Sequence, residues 1–312
     1  MPSSGRESIA LFDRRAWRRH RERAARQGSV DFLHAEIAER LIDRLDDVGR
    51  RFRTALDLGS RQGGLAQALA RRLGIELVVA AEPALGFLSQ TAGPRVAADP
   101  ELVPFRDASF DLAVSALALH WVADLPGALI QLRRTLKPDG LLLAAMLGGG
   151  TLAELRTALV EAELAEEGGI SPRVSPTADL ADAASLLQRA GFAMPVADAD
   201  TITVTYPDML ALLRDLRQMG ETNALWERRR TTLRRATLAR AAAIYAERFG
   251  RADGRIPATF EILYLTGWAP DASQPRPLKP GSAAHRLAAA LGTTEISAGD
   301  PAAPPNSRGS GK

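Results

Sequence analysis

The residues with the clearest chemical potential follow a short apolar run, "TALDL", which begins at Thr54. Asp57 lies near the end of this run, and the loop that follows reads "GSRQGG" (59–64). Glycine at Gly59 and Gly63 lets the backbone turn tightly and approach a ligand closely. A carboxylate beside such a loop attracts a cationic group. We therefore predict a ligand-binding turn at the carboxyl end of a buried strand.

Two more carboxylates end the next two predicted strands. "IELVVAAE" ends in Glu82 and "GPRVAAD" (93–99) ends in Asp99. Because the carboxyl ends of parallel strands meet at one edge of a sheet, we expect both side chains to lie near Asp57. Glu82 suits the hydroxyls of a ribose, and Asp99 suits the amino group of an adenine. The three acidic residues together predict a cofactor that contains a nucleoside.

Two cofactor classes share this layout. A dinucleotide requires G-x-G-x-x-G so that its pyrophosphate can lie on the helix N-terminus. In this loop Arg61 replaces the middle glycine, and the spacing fails. S-adenosylmethionine carries no phosphate, and its sulfonium and amino-acid end favour an acidic neighbour such as Asp57. We predict S-adenosylmethionine as the cofactor, and the alternative is a degenerate sheet that binds nothing.

Arg61 itself argues against tight binding. A side chain at a position that favours positive φ costs about 1 kcal/mol or more. A cation near the sulfonium costs more unless its side chain points to solvent. We therefore expect a strained loop with weakened cofactor affinity, which the change Arg61→Gly would relieve.

The segment after the predicted fourth strand, "FDLAVSAL" (110–117), supplies the candidates for catalysis. Its last residue, Leu117, is predicted to contact the cofactor. For His120 two interpretations stay open: a general base or substrate-positioning group, and a packed wall of the cleft. Trp121 and the more distant Tyr264 are predicted on the substrate side.

Composition narrows the function classes. The 312 residues include no cysteine, which excludes disulfides, thiolate metal sites and a catalytic thiol. The histidines are scattered, so no metal site is predicted. A formal net charge of +3 does not favour nucleic acid as a partner.

No window reaches the roughly 20 apolar residues of a membrane span, and the N-terminus lacks a secretory pattern. We predict a soluble, cytoplasmic bacterial protein without stable membrane insertion, whose mitochondrial counterpart would need a leader to reach the matrix.

Five strand-like runs alternate with helical patterns up to residue 147, which predicts a doubly wound parallel sheet. The turn "KPDG" (137–140) precedes the fifth strand. Helical patterns then dominate, and two strand-like runs, 198–206 and 258–268, are interpreted as a final antiparallel pair. The fold class is therefore α/β, a Rossmann-like sheet of seven strands with a helical C-terminal cap. Four segments are predicted: a basic helical segment (1–28), a cofactor-binding core (29–150), the cap with the last two strands (151–268) and a largely disordered tail (269–312).

The N-terminal segment "RRAWRRHRERAARQ" (14–27) is predicted to form an amphipathic helix rich in arginine. Three interpretations stay open: a solvated helix, a basic surface that docks an acidic protein, and a targeting peptide. Asp13 and Glu22 argue against the last, because acidic residues are unusual in transit peptides. If the segment only docks a partner, its removal is expected to leave cofactor affinity unchanged.

Longer motifs carry a specific resemblance. The stretch "VPFRDASFDLAVSALALHWVADLPGALIQLRRTLKPDGLLLAAMLGG" (103–149) closely resembles the class I methyltransferase block built around PF, FD, LHW and LKPGG. With "FDRRAWRRHRERAA", "EEGGISPRVSP", "RDLRQMGETNALWERR" and "IPATFEILYLTGW", the chain resembles the mitochondrial complex I assembly factor 5 family and its bacterial homologues. A broader likeness is to the malonyl-carrier-protein O-methyltransferase of the biotin pathway.

This resemblance implies a class I methyltransferase fold that binds S-adenosylmethionine, and a role as arginine hydroxylase of a complex I subunit. It also implies roles for individual positions, which are the cofactor loop for Asp57, Gly59 and Gly63, the ribose contact for Glu82, the adenine contact for Asp99, and the "LHW" that faces the donor for His120 and Trp121. The loop of the family usually carries a glycine where this chain has Arg61.

We therefore expect an S-adenosylmethionine-dependent methyltransferase that modifies a protein in the biogenesis of respiratory complex I or, second to that, a small acid. One rival is a protein-arginine hydroxylase on the same fold. Another is a non-catalytic assembly chaperone whose cofactor loop has decayed. The polar loops "GGISPRVSP" (168–176) and "MGETNALW" (219–226) either carry specificity residues or only connect elements.

Overall fold

The computed structural model describes residues 11–175, 179–275 and 287–294 of the chain. Its seven strands are β1 (Thr54–Leu58), β2 (Leu77–Ala81), β3 (Arg95–Val96), β4 (Phe110–Ala116), β5 (Leu136–Leu147), β6 (Ala193–Tyr206) and β7 (Ile256–Trp268). The helices in these ranges are α1 (Arg14–Gln27), α2 (Phe32–Asp46), α3 (Gly64–Ala70), α4 (Leu85–Leu88), α5 (Leu125–Thr135), α6 (Ala153–Glu167), α7 (Leu180–Arg189), α8 (Met209–Met219), α9 (Arg235–Phe249) and α10 (Leu287–Ala290). None of them is long and apolar enough to cross a membrane.

The strands form one sheet in the order β3-β2-β1-β4-β5-β7-β6. β1 to β5 pair in parallel, whereas β7 runs antiparallel to both β5 and β6. The predicted doubly wound sheet with a final antiparallel pair is confirmed. Its central strands are buried on both faces, which is why β1 and β4 are nearly continuous apolar runs.

Three strands differ most from the sequence prediction. β3 has only two residues, and β6 begins five residues earlier than expected, at Ala193. β5 begins at Leu136 and so contains the predicted turn 137–140. The pairing shifts between Phe110 and Leu112, and Asp139 adopts a left-handed φ of 58°. The predicted turn is therefore a bulge within the strand, because the ladder resumes on its far side.

Two apolar layers cover the sheet. Side chains of α2, α3, α6, α8 and α9 pack on one face, and those of α5 and α7 pack on the other. The helices predicted as a C-terminal cap thus contribute to both layers. Compact units span Met1–Ala272 and Ser273–Lys312. Residues 1–10 and most of the predicted disordered tail lie outside the described residues.

Helix α1 differs from the solvated helix that its composition suggests. Asp13 caps its start by accepting the N–H of Ala16 at 3.0 Å. Trp17 is 0% exposed and Arg21 is 1% exposed, and with Ala16 and Ala24 they form one buried stripe. The stripe has the spacing of a helix face, but the surrounding arginines conceal it in the sequence. α1 is therefore part of the packed structure rather than a free arm.

Candidate cofactor and active site

The loop after β1 takes its shape from two glycines. Gly59 has a φ of 79°, and a Cβ atom there would overlap the Cβ of Ala118. Gly63 has a φ of 82°, and its Cβ would lie 2.6 Å from Thr91. Both positions therefore require glycine for conformation and for space. The loop places the end of β1 close to the segment after β4, as the predicted ligand-binding turn demands.

Asp57 is the buried carboxylate of this loop. Its side chain is 1% exposed, and neither oxygen has a hydrogen-bond partner among the described residues. Burial raises the pKa of Asp57 to about 7; the nearby backbone N–H of Ala66 acts against this rise, and the charge of Glu82 adds to it. The carboxylate lines a cavity of about 440 Å³, together with Ser60, Gln62 and His34. Such a group is available to a cationic ligand.

Arg61 adopts the left-handed conformation expected for the missing glycine, with a φ of 50°. Its side chain does not point to solvent, since Arg61 is only 3% exposed. The guanidinium donates to the carbonyl of Met219 at 2.5 Å and to Asp31 at 2.9 Å. It also lies 4.6 Å from the ring centroid of Phe87. Arg61 thus joins the loop to the start of α2 and the end of α8.

Glu82 has no free hydrogen-bonding capacity. Its Oε1 accepts from Nε of Arg21 at 2.9 Å and from the N–H of Ala84 at 3.0 Å. Its Oε2 accepts from Nη2 of Arg21 at 2.5 Å and from the N–H of Arg61 at 3.0 Å. Arg21 belongs to α1, so the carboxylate predicted for a ribose is held by the N-terminal helix.

Asp99, predicted for the adenine, is also held by α1. Arg14 donates from Nε to one oxygen at 3.2 Å and from Nη2 to the other. The carbonyl of Trp121 accepts a further bond from Nη1 of Arg14 at 2.5 Å. Both carboxylates that were predicted to bind the nucleoside are therefore occupied by arginines of α1.

The predicted catalytic segment is a 3₁₀ turn, Leu119–Trp121, directly after β4. Nε2 of His120 lies 3.2 Å from Oε2 of Glu221, and Nε1 of Trp121 donates to the same oxygen at 2.8 Å. Burial opposes the ionisation of Glu221, but His120 and the charges of Arg21 and Arg61 lower its pKa. Nδ1 of His120 is buried without a partner among the described residues.

A second, larger cavity lies in front of this turn. Its volume is about 580 Å³. His120, Trp121 and Glu221 line it, and Leu117, the predicted cofactor contact, is also in its wall. Leu117 has a φ of 52°, so the chain turns sharply where β4 ends. His34 lines both cavities, so the space near Asp57 and the space near His120 share a wall.

Tyr264, predicted on the substrate side, is not among the residues that line these two cavities. It pairs with Ala145, two residues before the carboxyl end of β5, and Arg44 of α2 covers its ring at 3.9 Å from the centroid. Because β7 is antiparallel, its earlier residues lie nearer the carboxyl edge of the parallel strands, and Phe260 reaches the large cavity instead.

Three functional candidates escaped the sequence analysis. Glu221 lies in the "MGETNALW" loop, which had been interpreted only as a specificity or connecting segment. Arg14 and Arg21 belong to the basic segment 14–27, for which the sequence left a solvated helix, a docking surface and a targeting peptide open. The spacing of Arg21 with Trp17 on one helix face was the available signal. No group of three or more His, Cys, Asp or Glu suited to a metal ion occurs within residues 11–175, 179–275 and 287–294.

The comparisons with known proteins agree with this geometry. A family model described as a methyltransferase domain matches residues 56–144. The YcgJ protein of Bacillus subtilis superimposes with a TM-score of 0.53 at 14% identity, covering 75% of this chain and 99% of that chain. The fold is that of the class I methyltransferases. The methyltransferase-domain match supports S-adenosylmethionine as its cofactor.

Curated relatives narrow this class to one family. A Danio rerio protein named arginine-hydroxylase NDUFAF5, mitochondrial, is 43% identical over 288 residues, covering 90% of this chain and 89% of its own. The Homo sapiens protein of that name is 44% identical, covering 90% and 83%. A malonyl-[acyl-carrier protein] O-methyltransferase of Xylella fastidiosa is 37% identical, covering 83% and 89%. The chain belongs to the NDUFAF5 family, as its motifs predicted.

The site fits this cofactor in part. The free carboxylate of Asp57 suits the cationic amino-acid end. The nucleoside end is different, because Arg21 and Arg14 already engage Glu82 and Asp99 in this conformation.

Proposed function

We propose that this chain is an S-adenosylmethionine-dependent enzyme that methylates a protein during the assembly of respiratory complex I. The client is supported by the motifs that resemble the complex I assembly factor 5 family. We place the reaction in the bacterial cytoplasm, with the mitochondrial matrix as the corresponding compartment of the mitochondrial relatives.

One observation carries the proposal. The side-chain carboxylate of Asp57 is buried and has no hydrogen-bond partner among the described residues. It lines a cavity that shares His34 with the cavity lined by His120. A donor held near Asp57 and an acceptor held near His120 are thereby neighbours. Holding two reactants next to each other is a large part of what a transferase contributes.

On the donor side, Asp57 would hold the cationic end of S-adenosylmethionine, and Gly59 would let the backbone approach it. When bound, this cofactor supplies an electrophilic methyl group. Glu82 and Asp99 would hold the nucleoside once the arginines of α1 release them. Leu117 would form the wall between the cationic end and the nucleoside end of the cofactor.

On the acceptor side, we assign His120 as the general base. Nε1 of Trp121 can only donate, so Oε2 of Glu221 is an acceptor, and its lowered pKa keeps the carboxylate ionised. The bond from His120 to the same oxygen then requires a proton on Nε2. In the neutral imidazole Nδ1 then carries the lone pair, which can take the proton of the acceptor atom.

Hydroxylation of a protein arginine is the second candidate, because the relatives are named arginine-hydroxylase. Inserting an oxygen atom into a C–H bond requires dioxygen and a two-electron reductant as co-substrates. The two reactions give products of different mass, since one adds a methylene and the other an oxygen atom.

The test uses an extract of cells that lack this protein. Purified full-length protein and methyl-labelled S-adenosylmethionine are added, and complex I subunits are analysed by mass spectrometry. A labelled methyl group on a subunit is the expected result, and it should be lost with Asp57→Asn and kept with the exposed control Asp43→Asn. An added oxygen atom would favour the hydroxylase. Client binding without any modification would contradict both and favour the chaperone.

A further inference from the structure

Helix α1 donates to both carboxylates that the proposed function gives to the cofactor's nucleoside. Arg21 forms a bidentate pair with Glu82, and Arg14 forms a bidentate pair with Asp99. A guanidinium presents N–H donors in a fixed fork, much as a ribose diol presents two hydroxyl donors. α1 therefore satisfies these acceptors with its own side chains.

The pairing with Glu82 leaves nothing for a ligand. Arg21 and Glu82 have side chains that are 1% and 0% exposed. All four hydrogen bonds to the carboxylate come from the protein, two from Arg21 and two from the backbone of Arg61 and Ala84. A ribose can bind there only after Arg21 leaves. Separating the pair inside the buried site would leave uncompensated charges, so Arg21 has to move out to solvent.

The surroundings of Arg21 keep the helix in place. Trp17 is 0% exposed and lies against Trp121 with their ring centroids 6.3 Å apart. Glu22 accepts the N–H of Gly86 at 3.0 Å, which fixes α1 to the segment after β2. Since these contacts act together, release of Arg21 requires α1 to move away as a unit. At its end Gly28 has a φ of 82° and open space around its Cα, a suitable pivot.

We propose that α1 is an intramolecular competitor of the cofactor's nucleoside, so that the protein alternates between this closed state and an open state that binds S-adenosylmethionine. The proposal rests on the proposed function, because that function assigns Glu82 and Asp99 to the cofactor. In the closed state the affinity for the cofactor is reduced by the fraction of open molecules. Weakening α1 should therefore strengthen binding.

The first test is calorimetric titration of the full-length protein with S-adenosylhomocysteine, which shares the nucleoside. Arg21→Gln should tighten binding by about tenfold or more, and Arg14→Gln by less, because Arg14 is partly exposed. The matched control is Arg15→Gln, an exposed residue of the same helix, which should bind as wild type does. Unchanged or weaker binding by a folded Arg21→Gln protein would overturn the proposal.

The second test needs no variant, so it decides the matter if Arg21→Gln does not fold. Wild-type protein is treated briefly with trypsin, with and without S-adenosylhomocysteine, and cleavage inside residues 14–27 is followed by mass spectrometry. Faster cleavage with the ligand is expected, because binding displaces α1. Slower cleavage would show that α1 closes over the ligand, which is the opposite arrangement.

The outcomes separate this proposal from the proposed function. If wild type binds S-adenosylhomocysteine, loses it with Glu82→Gln, and is indifferent to Arg21→Gln, the competition fails while the cofactor site stands. If neither wild type nor any α1 variant binds the ligand, the cofactor assignment fails, and the competition fails with it.

Discussion

Trp121 donates its indole N–H to Oε2 of Glu221 at 2.8 Å, and this bond fixes the chemistry of the histidine beside it. An oxygen that already accepts from Trp121 presents an acceptor to Nε2 of His120 as well. The imidazole is thereby restricted to one tautomer, with Nδ1 as its basic atom. A residue from the loop after α8 thus selects the tautomer of the neutral imidazole of a residue after β4.

We first predict that Glu221→Gln lowers kcat by at least about tenfold, because the amide can donate to His120 and so favours the wrong tautomer. His120→Ala should cost about a hundredfold or more, on the scale of a lost general base. The matched control Glu227→Gln, in the same loop but exposed, should leave kcat unchanged. The measurement is methyl transfer to the client at saturating cofactor. An equal effect of Glu221→Gln and Glu227→Gln would contradict the assignment.

The second prediction concerns pH. Asp57 has a pKa of about 7 in the folded chain and 3.8 without the fold, so the folded state binds this proton more tightly. The contribution of Asp57 to the free energy of unfolding is therefore complete below about pH 4 and is lost as pH rises to about 7. The loss is on the order of 4 kcal/mol. Urea unfolding of wild type and Asp57→Asn at several pH values measures it, and parallel profiles would contradict it.

The third prediction follows from the same carboxyl group. A cationic ligand favours the ionised form of Asp57, so binding of S-adenosylmethionine should release a proton at or below about pH 7. Calorimetry in buffers with different heats of ionisation detects that proton. Asp57→Asn should abolish the release. Proton uptake on binding would rule out this role for Asp57.

The fourth prediction reverses the expectation for Arg61. Relief of the positive φ gains about 1 kcal/mol in Arg61→Gly. The loss is larger, because each hydrogen bond from a charged group contributes about 1.5–3 kcal/mol, and Arg61 makes several. We expect a net loss of about 2–4 kcal/mol in the free energy of unfolding. Arg61→Asn, which tolerates the same φ, should lose a similar amount, and a gain in either variant would contradict this account.

The fifth prediction tests which aromatic residue of β7 contacts the substrate. Phe260→Leu should raise KM for the client, because Phe260 lines the large cavity. Tyr264→Phe should leave kcat and KM unchanged, since Arg44 covers that ring and neither of the two cavities has Tyr264 in its lining. Steady-state kinetics of the two variants make a matched pair. The reverse pattern would restore Tyr264 to the site.

The fold could be predicted from the sequence because strand runs and helical patterns alternate regularly, and burial of β1 and β4 on both faces leaves an unmistakable apolar signature. The loop residues Gly59, Gly63 and Asp57 could be proposed from the sequence in the same way, since the roles predicted for them depend on the local chain. The positions of Glu82 and Asp99 at strand ends followed from parallel topology. The topology did not indicate that arginines of α1 occupy both carboxylates.

What the sequence concealed depends on pairs that are distant along the chain. Arg21 and Glu82 are 61 positions apart, and Trp121 and Glu221 are 100 apart. No local pattern of charge announces such a pair, because an arginine in solution and an arginine against a buried carboxylate look alike in the sequence. The distance of Tyr264 from the edge of the sheet is hidden in the sequence for a related reason, because it depends on the register of β7 with β5.

The start of α1 is held by residues that come late in the sequence, and this sets the order in which the chain can fold during its synthesis. Phe12 bridges to Leu225, and Asp13 pairs with Arg228, which lies 215 positions later. Contacts of such long range form late, because the intervening chain must first be ordered. Glu82 leaves the ribosome long before Arg228 does. The contacts that hold the start of α1 consequently form only after residue 228 has been made, so complete docking of this helix is a late step in folding.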